Sequence, residues 1–336
     1  MKFPSILWTA LLVPSVALAN PFQQKTMQDP FSMREIERSV VMPKGWIELS
    51  FEVEAKESTS YWNSEGEAVD FEGANWLYST ERLSFRWGFL PNAEIFVNMP
   101  AHWVQLKNDI HGTDRSGLYM GDPKFGTRIK LVESTAPSTS LAAVIEIKAP
   151  AGNESPGSYI GGPTTFQSFV TTTGGHDLRL GLEGKQQLAS GGIALLGGLG
   201  WVHRFSAPVQ YSIETDQFQL VGRVKAGDRL YAGGSAFLQG GPVGFWAGPR
   251  VEMHGPVKMG TTSAWPNPSQ QLDEVVGSSG WSLDADAGLL FQFSRHAQVA
   301  GGMSYPIRGE DLMFFPIEDI HPTRGITWNG ALQFNY

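Results

Sequence analysis

The chain has 336 residues, a formal net charge of -8, 39 Gly, 20 Phe, 11 Trp and no Cys. The missing Cys excludes thiol catalysis, disulfide frameworks, Cys-based zinc sites and the lipidated cysteine of a lipoprotein, and the acidic balance argues against a nucleic-acid partner. No Ser/Pro-rich linker or charge block divides the chain, so one continuous folded unit is expected.

Residues 1–19 carry Lys2, an apolar stretch from Phe3 to Leu18 and the small-x-small ending Ala17-Leu-Ala19. That order is the pattern of a cleavable secretory signal. A transmembrane anchor fits less well, because Pro4 and Pro14 interrupt a run already short of the ~20 residues a span needs. Residues 20–44 are too polar for a spanning strand. Asp29-Pro30 has the order of a helix start, and Ser32 with Glu35 forms a capping box ahead of Ile36, Val40 and Val41. This segment is expected either as a periplasmic tail or as a short helix that plugs the interior of the folded unit.

From residue 45 onward the sequence alternates with period two. After Trp46–Ala55, the run Arg82–Phe89 places Leu83, Phe85, Trp87 and Phe89 on one parity and Arg82, Ser84 and Arg86 on the other. A helix would scatter these residues; a strand sorts them onto two faces. The turn Leu90-Pro-Asn92 leads into Ala93, Ile95, Val97, Met99, Ala101 and Trp103 opposite Glu94, Asn98 and His102, which is a hairpin. The pattern recurs as Phe125, Thr127, Ile129 and Leu131 against Lys124, Arg128 and Lys130. Leu141, Ala143, Ile145 and Ile147 oppose Glu146 and Lys148, and Leu178, Leu180 and Leu182 oppose Arg179, Glu183 and Lys185. Further strands read over 193–205, 217–226, 230–239 (the least regular), 245–253, 257–264, 281–293 and 297–305. The final run, Ile326 to Tyr336, alternates apolar and polar residues to its last aromatic.

Short turns at 90–92, 189–192, 227–229 and 294–296 alternate with long connections near 57–75, 105–117, 150–175 and 306–325, the asymmetry of a bacterial outer-membrane barrel. The expectation is an all-β, transmembrane, antiparallel up-and-down β-barrel of about 14 strands over residues 45–336, or 12 if the weak strands between 230 and 264 are one bent strand. A soluble sandwich also alternates with period two, but it has no reason to gather rings at strand ends. Here Trp87, Phe89, Phe334 and Tyr336 lie beside short turns or the terminus, and Trp103, Trp201, Tyr305 and Trp328 beside long loops, as two interfacial girdles would.

With the apolar parity facing lipid, the other parity faces a lumen. Its candidate charges are Arg82, Arg86, Lys124, Arg128 and Lys130, with Glu52 and Glu54 near the start and Asp284 and Asp286 near the end. Closure would bring the acidic strands into one arc opposite the basic ones. Such a transverse field orients a polar solute or imposes ion selectivity; mutual pairing of the charges is the competing reading. Catalytic constellations are thin: there is no His-Glu-x-x-His, no Gly-x-Ser-x-Gly elbow and no phosphate loop. The one acid/base candidate is a rim grouping of His176, Asp177 and His203 with Asp109 or Asp114. No catalytic residue, metal or cofactor is therefore assigned.

The runs 82–100 and 120–131, Glu146-Ile-Lys-Ala-Pro-Ala-Gly152 and Gly181-Leu-Glu-Gly-Lys185 resemble the outer-membrane channel family named after the meta-cleavage pathway of phenol degradation, over about residues 76–336. Pro150-Ala-Gly152 stands where members usually read Pro-Thr-Gly. The resemblance implies a barrel for uptake of aromatic or other small organic compounds and supplies no substrate residues. The expectation is a non-enzymatic outer-membrane channel. Its expected partners are a small-molecule solute, outer-membrane lipid and lipopolysaccharide, and the barrel-assembly machinery acting on the C-terminal strand. The alternatives are an adhesive or structural barrel acting through its loops and, behind it, a rim-active hydrolase.

Overall fold

The computed structural model describes residues 38–70, 74–108, 113–135, 138–151, 175–189, 192–212, 219–263, 272–274, 278–294, 296–310 and 323–336. The expected signal and most of the segment ahead of the barrel lie outside them. Twelve strands form the wall: β1 (Ile47–Trp62), β2 (Ala74–Leu90), β3 (Ala93–Asn108), β4 (Lys124–Thr135), β5 (Ser138–Lys148), β6 (Asp177–Ala189), β7 (Ile193–Arg204), β8 (Arg229–Gly240), β9 (Val243–His254), β10 (Gly280–Gln292), β11 (Ala297–Glu310) and β12 (Thr323–Asn335). Each pairs antiparallel with its neighbours in sequence, and β12 pairs with β1 from Asn335–Glu48 to Thr323–Tyr61. Closure leaves no free edge. The fold is an antiparallel up-and-down β-barrel of the transmembrane type, with the alternation seen in sequence on its two faces.

Large apolar residues cover the outside. Leu83, Ile95, Met99, Phe125, Ile147, Leu199, Phe245, Leu289 and Leu332 are all exposed, whereas Glu48, Glu94, Glu146, Lys148 and Lys185 are buried within. This inversion of a soluble protein's pattern is what a lipid-facing belt requires. Trp87, Trp201, Tyr305, Trp328, Phe334 and Tyr336 are exposed on that outer surface, while Phe89 and Trp103 are half-buried.

Two strands expected in the wall are not part of it, which reduces about 14 to twelve. Gln219–Lys225 and Lys258–Ser263 pair with each other and with Ala207–Ser212 and Asp273–Glu274 in a separate four-stranded sheet, built from the connections after β7 and β9. Alternation marks a strand but does not say which sheet it joins. The irregular stretch 230–239 is not half of a bent strand; it is β8, paired on both edges. Gly227-Asp-Arg229, expected as a short turn at the lower end, lies instead at the long-connection end, where the chain bends from the small sheet into β8. A lower turn missed in the sequence is at Gly241-Pro242, where Gly241 has φ 60°, a conformation open to glycine at little cost. Several expected loops are shorter because the wall strands continue past them: β1 and β2 have 16 and 17 residues, beyond the roughly 9–11 that cross a bilayer. Thr113–Met120 folds back along β3.

At the lower mouth, residues 39–42 run inside the wall. The Val40 N–H donates to Ser140 Oγ at 3.1 Å, Arg86 Nη2 donates to the Val40 carbonyl at 3.1 Å, and the Met42 N–H donates to Glu94 Oε2 at 2.5 Å. Val41 is fully buried. Gly88 permits the crossing, since a Cβ there would stand 2.0 Å from the Pro43 carbonyl oxygen.

Candidate functional site

The lumen is built from two kinds of wall. Along β1 to β6, charged side chains face inward and meet their opposites in direct cross-strand register: Glu48 with Arg86, Glu52 with Arg82, Glu94 with Arg128, Glu146 with Arg179, and Lys148 with Asp177. Contacts between these pairs extend them into a belt. Arg86 Nη1 reaches Glu48 at 3.0 Å, and its Nε and Nη2 grip Glu94 at 2.9 Å each. Arg128 joins Glu94 (2.7 Å) to Glu183 (2.8 Å), and Arg179 joins Glu183 (2.9 Å) to the Tyr231 hydroxyl (2.5 Å) on β8. Glu94 has no exposed surface. Guanidinium N–H groups of Arg86 and Arg128 and the Met42 backbone N–H surround its carboxylate, the arrangement that keeps a buried charge ionised.

From β7 to β12 the inward face carries one charged group, Arg229 and Arg250 against Glu252, Asp284 and Asp286, and elsewhere many glycines, alanines and rings. At Gly288 a Cβ would lie 2.1 Å from Trp246 Cζ2 and 2.5 and 2.6 Å from the adjacent ring atoms Cη2 and Cε2. Those distances describe a point above the ring plane, not beside its edge. The indole therefore lies flat against Gly288, and a Cβ at Gly302 would also come within 3.1 Å of its Cζ2. Tyr231 covers Gly200 in the same way, and Phe237 covers Gly244, while Phe96 covers Gly126 beneath the Arg128 guanidinium, 4.7 Å from the ring centroid. Glycine on one strand and a ring on the next keep the bore from being filled.

Among the described residues, two cavities of the lumen bear on function. The upper, about 320 Å3, is lined by seven Lys and Arg side chains against five Asp and Glu. The lower, about 240 Å3, runs between Glu52, Glu54 and Arg82 on one side and Trp246, Ala300, Asn329 and Ala331 on the other. Glu54, Thr80 and Arg82 line both, so the cavities meet there.

Of the charges singled out in the sequence, Arg82 pairs with Glu52 at 2.9 Å, and Arg86 and Arg128 converge on Glu94. Asp284 and Asp286 each lie 3.6 Å from Arg250. Lys124 lines the upper cavity, whereas Lys130 bonds Glu133 at 2.5 Å and the Pro91 carbonyl at 3.2 Å beside a lower turn, away from both cavities. The expected separation into an acidic and a basic arc is replaced by pairing between adjacent strands, because the register sets opposite charges side by side. Trp246 and the glycines packed against it were missed. The available signal was a tryptophan on the polar parity of β9 with Gly288 and Gly302 on the two strands after it.

The rim grouping does not form as expected. Asp177 lies in the lumen, 3.1 Å from Lys148. His203 Nδ1 is 2.9 Å from Asp228 Oδ2, with the ring between Trp201 and Phe205 on the outer face. Partial burial favours the neutral form of Asp228. The hydrogen bonds with His203 and from the Arg204 N–H, together with Lys225, prevail and hold its carboxyl below the ordinary value. Asp109 and the side chain of Asp114 lie outside the described residues.

No family model matches the chain, and no curated protein does, so the resemblance to the phenol meta-pathway family has no support from sequence comparison. Among solved structures, the chain is similar to the COG4313 outer membrane channel from Pseudomonas putida F1: 10% identity over 90% of this chain and 98% of that one, TM-score 0.61. That likeness is one of fold. The Pseudomonas putida toluene transporter TodX (12% identity, 88% and 89% coverage, TM-score 0.39) and the translocator domain of the autotransporter NalP from Neisseria meningitidis (9%, 88% and 89%, TM-score 0.38) are more distant.

Proposed function

We propose that the protein is a passive channel of the bacterial outer membrane for small organic solutes bearing polar or charged groups. The observation that carries this reading is the pair of cavities joined at Glu54, Thr80 and Arg82 inside a closed barrel with an apolar outer belt. The belt would sit among outer-membrane lipid and lipopolysaccharide. An aromatic ring is compatible with the lower cavity, where Trp246 and Ala331 offer an apolar side, but a bare hydrocarbon would desolvate the surrounding ionised groups without compensating them. Transport of this kind needs only a lumen whose shape and charge decide what passes. The test is planar-bilayer recording with the purified protein. Discrete current steps are expected; a silent barrel that binds cells or surfaces through its outer connections would replace the channel with a scaffold or adhesin.

A further inference from the structure

We propose that the junction of the two cavities is a binding subsite for an organic ammonium group, with Glu54 as counter-ion and Trp246 as the aromatic face. The inference rests on the channel reading, because the subsite serves a solute only if solutes traverse the lumen. Three observations carry it. First, the charge balance reverses between the cavities. The upper lining has more cations than anions, whereas the lower has Glu52 and Glu54 against Arg82 alone. Arg82 is engaged with Glu52 at 2.9 Å, so the surplus negative charge at the junction resides on Glu54, which is exposed to the lumen. On the upper side, Arg250 is held among Glu252, Asp284 and Asp286.

Second, Trp246 is fixed face-on. With one face packed on Gly288, the indole lines the lower cavity that Glu54 also lines. An ammonium over an indole face is attracted by the ring quadrupole, and a carboxylate on the same cavity adds direct ion pairing. Third, the remaining walls suit a compact organic cation. Ala300 and Ala331 give apolar contact, and Thr80 and Asn329 provide oxygen acceptors. A volume of about 240 Å3 is equivalent to about eight waters at roughly 30 Å3 each, enough for a trimethylammonium head with a short tail. A carboxylate or phosphate at the same place would face Glu52 and Glu54.

The test uses the full barrel in detergent, titrated calorimetrically with benzyltrimethylammonium chloride, and the same compound added during bilayer recording. Saturable binding and concentration-dependent interruption of current are expected in the wild type. Glu54→Gln and Trp246→Leu should each weaken binding at least about tenfold, and Glu54→Asp should retain it, which separates charge from folding. Sodium benzoate, with the same ring and the opposite charge, should not bind. Equal binding by Glu54→Gln, or equal binding of benzoate, overturns the subsite. Current without ammonium binding overturns the subsite and leaves the channel reading intact. Binding that depends on Glu54 in a barrel that never conducts overturns the channel reading instead.

Discussion

The two halves of the lumen solve the same problem in opposite ways. A barrel interior has to be filled or solvated without leaving polar groups stranded. From β1 to β6 the solution is long charged side chains tied to partners on the next strand, ending in the belt from Glu48 through Glu94 to Tyr231. From β7 to β12, outside the charged group around Arg250, it is in large part glycine with a ring laid over it, as at Gly288 and Trp246. The first half gains rigidity and also secures residues 39–42 at the lower mouth; the second keeps the bore open. The paired charges are marked by charge alone, whereas the contacts of rings with glycines are visible only when two strands are considered together.

Breaking the charged half at its most buried point should have the largest effect. Glu94→Gln leaves Arg86 and Arg128 without their shared carboxylate and weakens the Met42 contact; loss of one partner of a buried pair costs about 3–5 kcal/mol. Denaturant unfolding in detergent should show this loss, and open-channel current should rise as residues 39–42 come loose. Unchanged current would mean that this segment does not restrict the lower mouth. An intermediate effect is expected in the glycine half. Gly288→Ala puts a methyl where the indole lies, and overpacking of this kind costs about 1–3 kcal/mol. The ring must lift toward the bore, so single-channel conductance should fall rather than rise. The smallest effect should come from Arg82→Ala. Its pair with Glu52 is about one-third exposed on both sides and is worth about 0.2–1 kcal/mol. Stability should hardly change, while the reversal potential in a salt gradient shifts toward cations as Glu52 joins Glu54 in facing the lower cavity.

Period-two alternation made all twelve wall strands legible in the sequence, including β8, because lipid on one side and water on the other impose it along the whole wall. The strand count was not legible. Residues 219–225 and 258–263 carry strand patterning too, and their partners are set by where two distant connections meet above the barrel. Most of the lumenal charges were recognisable as such, since Arg82, Glu52, Asp284 and their neighbours sit on the polar parity. Their function as pairs was not, because pairing depends on register, and a shift along one strand exchanges every partner. Residues such as Trp246 and Phe96 ran against the expected pattern, as aromatics on the polar face. Only the glycines on adjacent strands explain how such rings fit.

The in-register charge pairs also bear on how the wall is put together. A strand that slips by one residue exposes its polar face to lipid and is rejected by the membrane itself. A slip by two residues keeps apolar side chains outside, so lipid cannot detect it. It would, however, place Arg82 opposite Glu54 or Ser50 in place of Glu52 and shift Arg86 away from Glu48; on the other side of the barrel it would part Arg250 from Asp284. The lumenal charges thus act as a checksum for hairpin alignment during assembly, discriminating among the alignments that hydrophobic patterning leaves equivalent.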